Sequence, residues 1–385
     1  MVVNATIGAL VSSVGRNLAD SLTHGVSPTA NVLFSPLSIF AALFMLLFGT
    51  AERSQSQSEL LSFFGSPDTH SSSLPNLAES FHNFFQPLMG DHEGVGPSED
   101  HNATFLLANS LWGEAFKQSY VDLNREKLFA SVFSQTPTAT KVNQWVAKNT
   151  KNHITGILPP GFRLDPQSLL LVNTVFFHGM WKNEFKASRT TSEEFQVLSG
   201  APIKVKMMNS FRERWAYSES EKYQVLDMPY TDDRFVATVV LPREVQSFAS
   251  FIHGLSEEDW ADILNGNRYK QQVNLHLPKF DLEQELNLNQ ALQKGGVREI
   301  FGSSARLDNL SEVPMYVSDV LHKCRIEVDE KGSKASAATA VIMLRSAPMV
   351  VPPTPEMRCD RPFLFVIRTK DGVPMFVAYI TKPLK

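Results

Sequence analysis

The apolar residues of this chain change their spacing partway along. In the N-terminal stretch MVVNATIGALVSSVGRNLADSL they recur every three or four positions, with Arg16 and Asp20 breaking in, which predicts an amphipathic first helix. Residues 31–50 are apolar nearly all round, the mark of a buried helix. Residues 52–64 and 74–88 read as two further helices, divided by the polar loop SPDTHSSS. After a second polar loop, GDHEGVGPSEDHN, the run 103–112 reads as a strand. Helical spacing returns over 141–156, with Trp145, Val146, Ile154 and Ile157 on related faces. From Leu169 onward short apolar runs bounded by Pro, Gly or Asp take over: LLLVNTVFF, VATVVLP, QVNLHLPKF and PFLFVIRT, interrupted by a helix over 286–295. Helices first and strands later, with no strict alternation, no internal repeat and no separating linker, predict an α+β fold in one domain over 1–385.

Bulk properties narrow the function classes. The 385 residues carry a formal net charge of -4, so no global basic field points to nucleic acid or anionic membrane. The longest apolar run, 39–48, is too short to span a bilayer. Two cysteines, Cys324 and Cys359, exclude a disulfide framework and leave the compartment open. The N-terminus has no basic n-region and no clean cleavage site. A secreted protein is favoured, as a mature form or by unconventional export, with an intracellular one as the alternative. Sequons make Asn4, Asn102 and Asn309 candidate glycosylation sites, of low weight in a chain rich in Asn and Ser.

Enzyme chemistry finds no footing. Gly90, Gly94 and Gly96 sit in an acidic loop without the strand-to-helix context of a phosphate cradle. His92 between Asp91 and Glu93 is an ordinary solvated acidic loop before it is a metal site, because adjacent loop residues point apart. No Ser stands in a nucleophile elbow, and neither HExxH nor CxxC occurs, so no catalytic residue, metal or cofactor is expected. Between Arg53 and Lys117 there is no Lys or Arg, so that helical region offers no heparin site. Lys204, Lys206, Arg212 and Arg214, interleaved with Met207, Met208 and Phe211, read as a strand pair with a charged outer face.

The unusual segment is IEVDEKGSKASAATAVIMLRSAPM, 326–349. An alternating strand gives way at Gly332 to a run of small residues. With period two, Ser333, Ala335, Ala337, Thr339 and Val341 fall on one face, and each is small or β-branched. Such a face can slip between two preformed strands without overpacking, and a plain linker would favour Gly and Ser instead.

EKGSKASAATA resembles the reactive-loop hinge of inhibitory serpins, and other family signatures stand in order along the chain. NVLFSPLSI is similar to the serpin buried-helix motif. VNQWVAKNTKNHITGIL resembles the helix that crosses the main sheet, and LVNTVFFHGMWKNEF the strand beneath it. LPKFDLEQELNLNQALQKGGV, VSDVLHKCRIEVDEKG and RPFLFVIRTKDGVPMFVAYITKP are similar to their family counterparts. The resemblance spans residues 5–383 and implies about nine helices, three β-sheets and an exposed reactive-centre loop over about 331–351. It also implies a monomeric inhibitor whose partner is a serine protease. Glu330, Gly332, Ser333, Ala335, Ala337 and Thr339 then form the hinge, and Trp181, Lys279 and Glu330 mark the point where the sheet opens. Ser35, Ser38, Asn173 and His322 form the polar group beneath the sheet. Outside the family pattern His322 alone would read as a satisfied core histidine.

Three departures stand out. Lys334 replaces the Glu common in the family, Ala378 replaces a common Gly, and VVPPTPEMRCDRPF runs slightly longer than usual before the closing strands. Counting from Glu330 at the commonest loop length puts the cut at Ser346–Ala347, which suits an elastase-like enzyme. One residue earlier, Arg345 is the one cation between Lys334 and Arg358, and a trypsin-like pocket requires a cation. Arg345–Ser346 is therefore the preferred reactive bond and Ser346–Ala347 the alternative, with Leu344 or Met343 third. A non-inhibitory carrier or chaperone is the remaining reading, against which the small hinge residues speak.

Overall fold

The computed structural model describes residues 2–23, 27–66, 74–89, 104–331 and 353–383, with side chains described from residue 7 onward. Nine α-helices occur among them. They are α1 (Val2–Leu22), α2 (Pro36–Gly49), α3 (Gln55–Phe63), α4 (Leu74–Met89), α5 (Gln118–Lys127), α6 (Ala139–Asn149), α7 (Phe248–His253), α8 (Glu257–Asn265) and α9 (Asn289–Lys294). The strands form two hydrogen-bonded sheets. The smaller runs β10 (Phe280–Asn287), β11 (Tyr316–Val328), β4 (Ser168–His178), β2 (Thr104–Gly113), β3 (Ala130–Ser134). The larger runs β1 (Val32–Phe34), β14 (Pro374–Ile380), β13 (Phe363–Thr369), β8 (Phe235–Pro242), β7 (Tyr223–Pro229), β6 (Ile203–Glu219), β9 (Tyr269–Pro278), β12 (Glu356–Arg358), with β5 (Thr191–Phe195) also on β6.

Two of the three expected sheets are thus one network. β6 is 17 residues long and pairs with β5 near its start and with β7 near its end, so it carries hydrogen bonding through both. Its register against β9 shifts between Ser210 and Glu213, where Phe211 and Arg212 stand out from the ladder and Arg212 has φ 55. Lys204, Lys206, Arg212 and Arg214 are all exposed, but the extra residue reverses the alternation, so Arg214 lies on the face opposite Lys204 and Lys206 and the single charged face expected from the sequence is split.

Local chemistry accounts for the other differences from the sequence expectations. The first residues of 31–50 are not helical: Val32–Phe34 is β1, paired with β14. Pro36 has no N–H and restricts Ser35 to extended geometry, so the helix starts after it with Ser35 as N-cap at φ -115 and ψ 103. The helix expected over 141–156 stops at Asn149, before Lys151 and Asn152 at φ 50 and 65. Residues 286 and 287 remain in β10, opposite His322 and Leu321, because the period-two pattern Phe280, Leu282, Leu286 runs on to them.

α2 is buried along its length and packs between β14 of the larger sheet and β4 and β2 of the smaller one. The opposite face of the smaller sheet carries a second apolar core. There Val142 and Val146 of α6, with Ile154, Ile157 and Leu164, cover Trp112, Leu170, Val172, Phe176 and Leu321.

Candidate functional site

The feature that sets the smaller sheet apart is its centre. β4 and β11 run parallel and pair directly, from Tyr316 opposite Ser168 to Ile326 opposite Phe177, while their outer neighbours β2 and β10 are antiparallel to them. An additional strand running against both could enter this seam and pair antiparallel on each side.

Under the seam lies a row of polar side chains in a position that strand alternation would give to apolar ones. Asn109 of β2, Asn173 of β4 and His322 of β11 are in register with one another across the sheet. All three are buried, as are Ser35 and Ser38 at the start of α2. The Ser35 backbone N–H donates to His322 Nε2 at 3.1 Å, so that nitrogen is an acceptor and the proton sits on Nδ1, which faces Asn173 Oδ1. Asn173 Nδ2 donates to Ser38 O at 3.0 Å, to Ser38 Oγ at 2.5 Å, and to Asn109 Oδ1. Ser35 Oγ caps α2 by accepting from Ser38 N at 3.1 Å and donates to Met375 O of β14 at 2.5 Å. Burial pulls the His322 imidazole down to a pKa of about 3, so the ring is neutral. The result is a neutral cluster joining both flanks of the seam to the helix beneath. Asn109 was not foreseen, yet a signal exists: LANSL around it mirrors LVNTV around Asn173.

At the mouth of the seam, just past the end of β11, Glu330 is held from two sides. Lys279 Nζ lies 2.5 Å from its Oε2, and Thr190 Oγ1 donates to its Oε1 at 2.7 Å. Burial alone would raise this carboxyl, but the bonds from Lys279 and Thr190 outweigh it and the pKa is lowered. Trp181 Nε1 donates to Asp329 O at 2.9 Å, and its ring stacks on Tyr230 at 4.5 Å between centroids. Of the three residues expected at the opening point, Lys279 and Glu330 pair directly, and Trp181 bonds to the backbone of the adjoining Asp329.

The remaining hinge positions Gly332, Ser333, Ala335, Ala337 and Thr339, the bond candidates Arg345, Ser346 and Ala347, and Asn102 lie outside the described residues, as does the Asn4 side chain. Asn309 is exposed, and its Nδ2 donates to Thr50 O at 2.7 Å. Among the described residues no group of three or more His, Cys, Asp or Glu is placed to hold a metal ion, and no helix is long and apolar enough to cross a membrane.

Comparison with known proteins matches this architecture. The family model described as Serpin (serine protease inhibitor) matches residues 10–383. Serpin B4 of Homo sapiens is 31% identical over 378 residues, covering 92% of this chain and 94% of that protein. Leukocyte elastase inhibitor of Sus scrofa is 31% identical over 359 residues, covering 89% and 90%. Among solved structures, human thyroxine-binding globulin complexed with thyroine superposes with a TM-score of 0.82 at 23% identity, covering all of both chains. Uncleaved ovalbumin gives 0.81 at 22%, covering 98% of this chain and 100% of that one. At these identities the two structures speak for the fold alone.

Proposed function

The chain belongs to the serpin family, and from that premise we propose that it inhibits a trypsin-like serine protease as a suicide substrate, cut at Arg345–Ser346. Loop insertion as an added strand is the general mechanism of the family. The observation that carries the reading for this chain is the β4–β11 seam: a directly paired parallel couple resting on a neutral polar cluster, with Glu330 just past the end of β11.

The protease serine attacks the Arg345 carbonyl, the Ser346 amine departs, and an ester joins Arg345 to the enzyme. The chain N-terminal to the cut is then tethered at Glu330 alone. Entering the seam, it forms on the order of a dozen ladder hydrogen bonds worth about 1 kcal/mol each net. That is on the order of 10 kcal/mol, comparable with the stability of a whole domain. The protease moves with the loop and is deformed before water can cleave the ester.

The test is incubation with trypsin, a denaturing gel, and mass spectrometry of the released C-terminal peptide. The expected result is a detergent-resistant adduct and a peptide beginning at Ser346; Arg345→Ala abolishes both. Cleavage without an adduct in parent and variant alike would instead support a non-inhibitory member. A second reading, cleavage at Ser346–Ala347 by an elastase-like enzyme, is favoured by the relatives named leukocyte elastase inhibitor. Under that reading the peptide begins at Ala347 and Arg345→Ala leaves elastase inhibition intact.

A further inference from the structure

We propose that Arg325 is a latch across the β4–β11 seam, a positioning residue that sets how fast the sheet admits a strand; this rests on the insertion reading above. Arg325 stands on β11 directly opposite Phe176 of β4. On its own side of the seam it is fixed by carboxylates. Nε and Nη2 reach Asp281 of β10 at 3.1 and 2.9 Å, and Nη2 lies 2.7 Å from Glu327. Its remaining nitrogen, Nη1, crosses the seam and donates to the His153 carbonyl at 3.0 Å.

His153 belongs to the other side. Its ring stacks on Phe176 with centroids 3.8 Å apart and planes 10° apart. The turn that carries it is tied to α6: Thr150 Oγ1 donates to Val146 O at 2.8 Å and accepts from Ile154 N at 3.2 Å, while Asn143 Oδ1 accepts from Ile157 N and Leu158 N, both at 2.9 Å. Lys151 and Asn152, just before His153, hold left-handed backbone with φ 50 and 65, and the Asn152 N–H bonds back to Ala147 O at 2.7 Å, so the turn is closed onto the end of α6.

Admitting a strand takes β4 and β11 from one strand spacing to two, an added separation of about 4.8 Å. Apolar contacts over the seam can slide through such a movement. A 3.0 Å hydrogen bond braced by Asp281 on one end and by the Phe176 stack on the other cannot, so it breaks before a strand enters. The latch exists only in the five-stranded sheet.

The test needs no protease. A synthetic peptide with the sequence of residues 332–344 is annealed to the full chain, and its incorporation is followed on a native gel for the parent, Arg325→Gln, His153→Ala and the double variant. His153→Ala loosens the carbonyl without leaving a carboxylate unpaired, so it separates release of the latch from a merely disturbed charge cluster. Each single variant is expected to incorporate peptide about tenfold faster than the parent, the scale of one charge-assisted hydrogen bond. The double variant is expected to be no faster than the faster single. Parent-like rates in both singles, or accelerations that multiply in the double variant, overturn the latch. If no form incorporates peptide, the parent included, the insertion reading itself falls and the latch with it.

Discussion

Two of the polar clusters buried among the described residues are built from different chemistry. Beneath the smaller sheet, Asn109, Asn173, His322, Ser35 and Ser38 form a network in which every member is neutral. In the larger sheet, Asp227 of β7 lies between two guanidiniums, Arg268 Nη1 at 3.2 Å and Arg368 Nη2 at 3.0 Å, whose side chains are 1% and 7% exposed. Thr238 of β8 donates to the same carboxylate at 2.7 Å and accepts from Arg368 Nε at 2.8 Å. Separating neutral partners costs a few hydrogen bonds that other groups or water can replace. Separating buried charges leaves each one desolvated and unpaired, at several kcal/mol. The charged cluster thus suits a sheet that stays together, and the neutral one suits a seam that opens.

The sharpest way to break this contrast is Asp227→Asn. It leaves two buried guanidiniums facing one another without their carboxylate, and a loss of about 3–5 kcal/mol is expected in urea unfolding. If the larger sheet keeps its partners through the proposed loop insertion, the loss should be equal before and after the loop is cut. A loss confined to the uncut form would show that this sheet also rearranges, and the contrast would fail.

His322→Ala comes next. It strands the Ser35 N–H and Asn173 Oδ1 in a buried site, and about 1–3 kcal/mol should be lost from the uncut form. Under the proposed insertion the cut form should lose less, because the seam above the cluster is then rebuilt around an added strand. The ring also gives the parent an acid sensitivity of known sign. Folded, His322 binds its proton near pH 3 because burial disfavours the cation; unfolded, it does so near 6.5. The unfolded chain therefore holds more protons throughout that interval, and stability declines as pH falls from 6.5 toward 3, by at most about 1.4 kcal/mol per pH unit from this group. Subtracting the pH profile of the variant from that of the parent isolates the contribution. A flat difference would mean that the ring titrates normally in the fold.

The contrast also explains what could be read in advance. The elements that were legible have a single strong period: α1 with Ile7, Leu10, Val11, Val14 and Leu18 all buried, or β4, whose LLLVNTVFF is inside from end to end. α5 was missed because QSYVDLNREK buries only Tyr120 and Asn124 and carries no stripe. β12 was missed because three residues have no period, and pairing with β9 defines it. The neutral cluster was legible through family motifs, except for Asn109, which lies outside them. The Asp227, Arg268 and Arg368 cluster was not legible at all. Its members sit 41 and 100 residues apart in the chain, and only the β7–β8–β13 pairing joins them with the residue just before β9. Arg325 escaped for the same reason, since its partner is a backbone carbonyl that leaves no trace in composition.

The pair at the mouth of the seam lies between these extremes and should give the smallest effect. Lys279 and Glu330 are charged, like the cluster of the larger sheet, yet their side chains keep 23% and 14% exposure and water can serve either one when they part. Lys279→Met should therefore cost only about 1 kcal/mol in the uncut form. Its dependence on pH has a definite direction. Burial would raise the Glu330 carboxyl, but the bonds from Lys279 and Thr190 prevail and its folded pKa is lowered. The pair's contribution is accordingly complete above the ordinary carboxylate value of 4.5 and is lost as pH falls through the lower folded value. In Lys279→Met that acid-side loss should shrink, while the decline assigned to His322 at higher pH remains. If Lys279→Met instead matched Asp227→Asn in magnitude, the mouth of the seam would be a fixed part of the fold and opening would have to begin elsewhere.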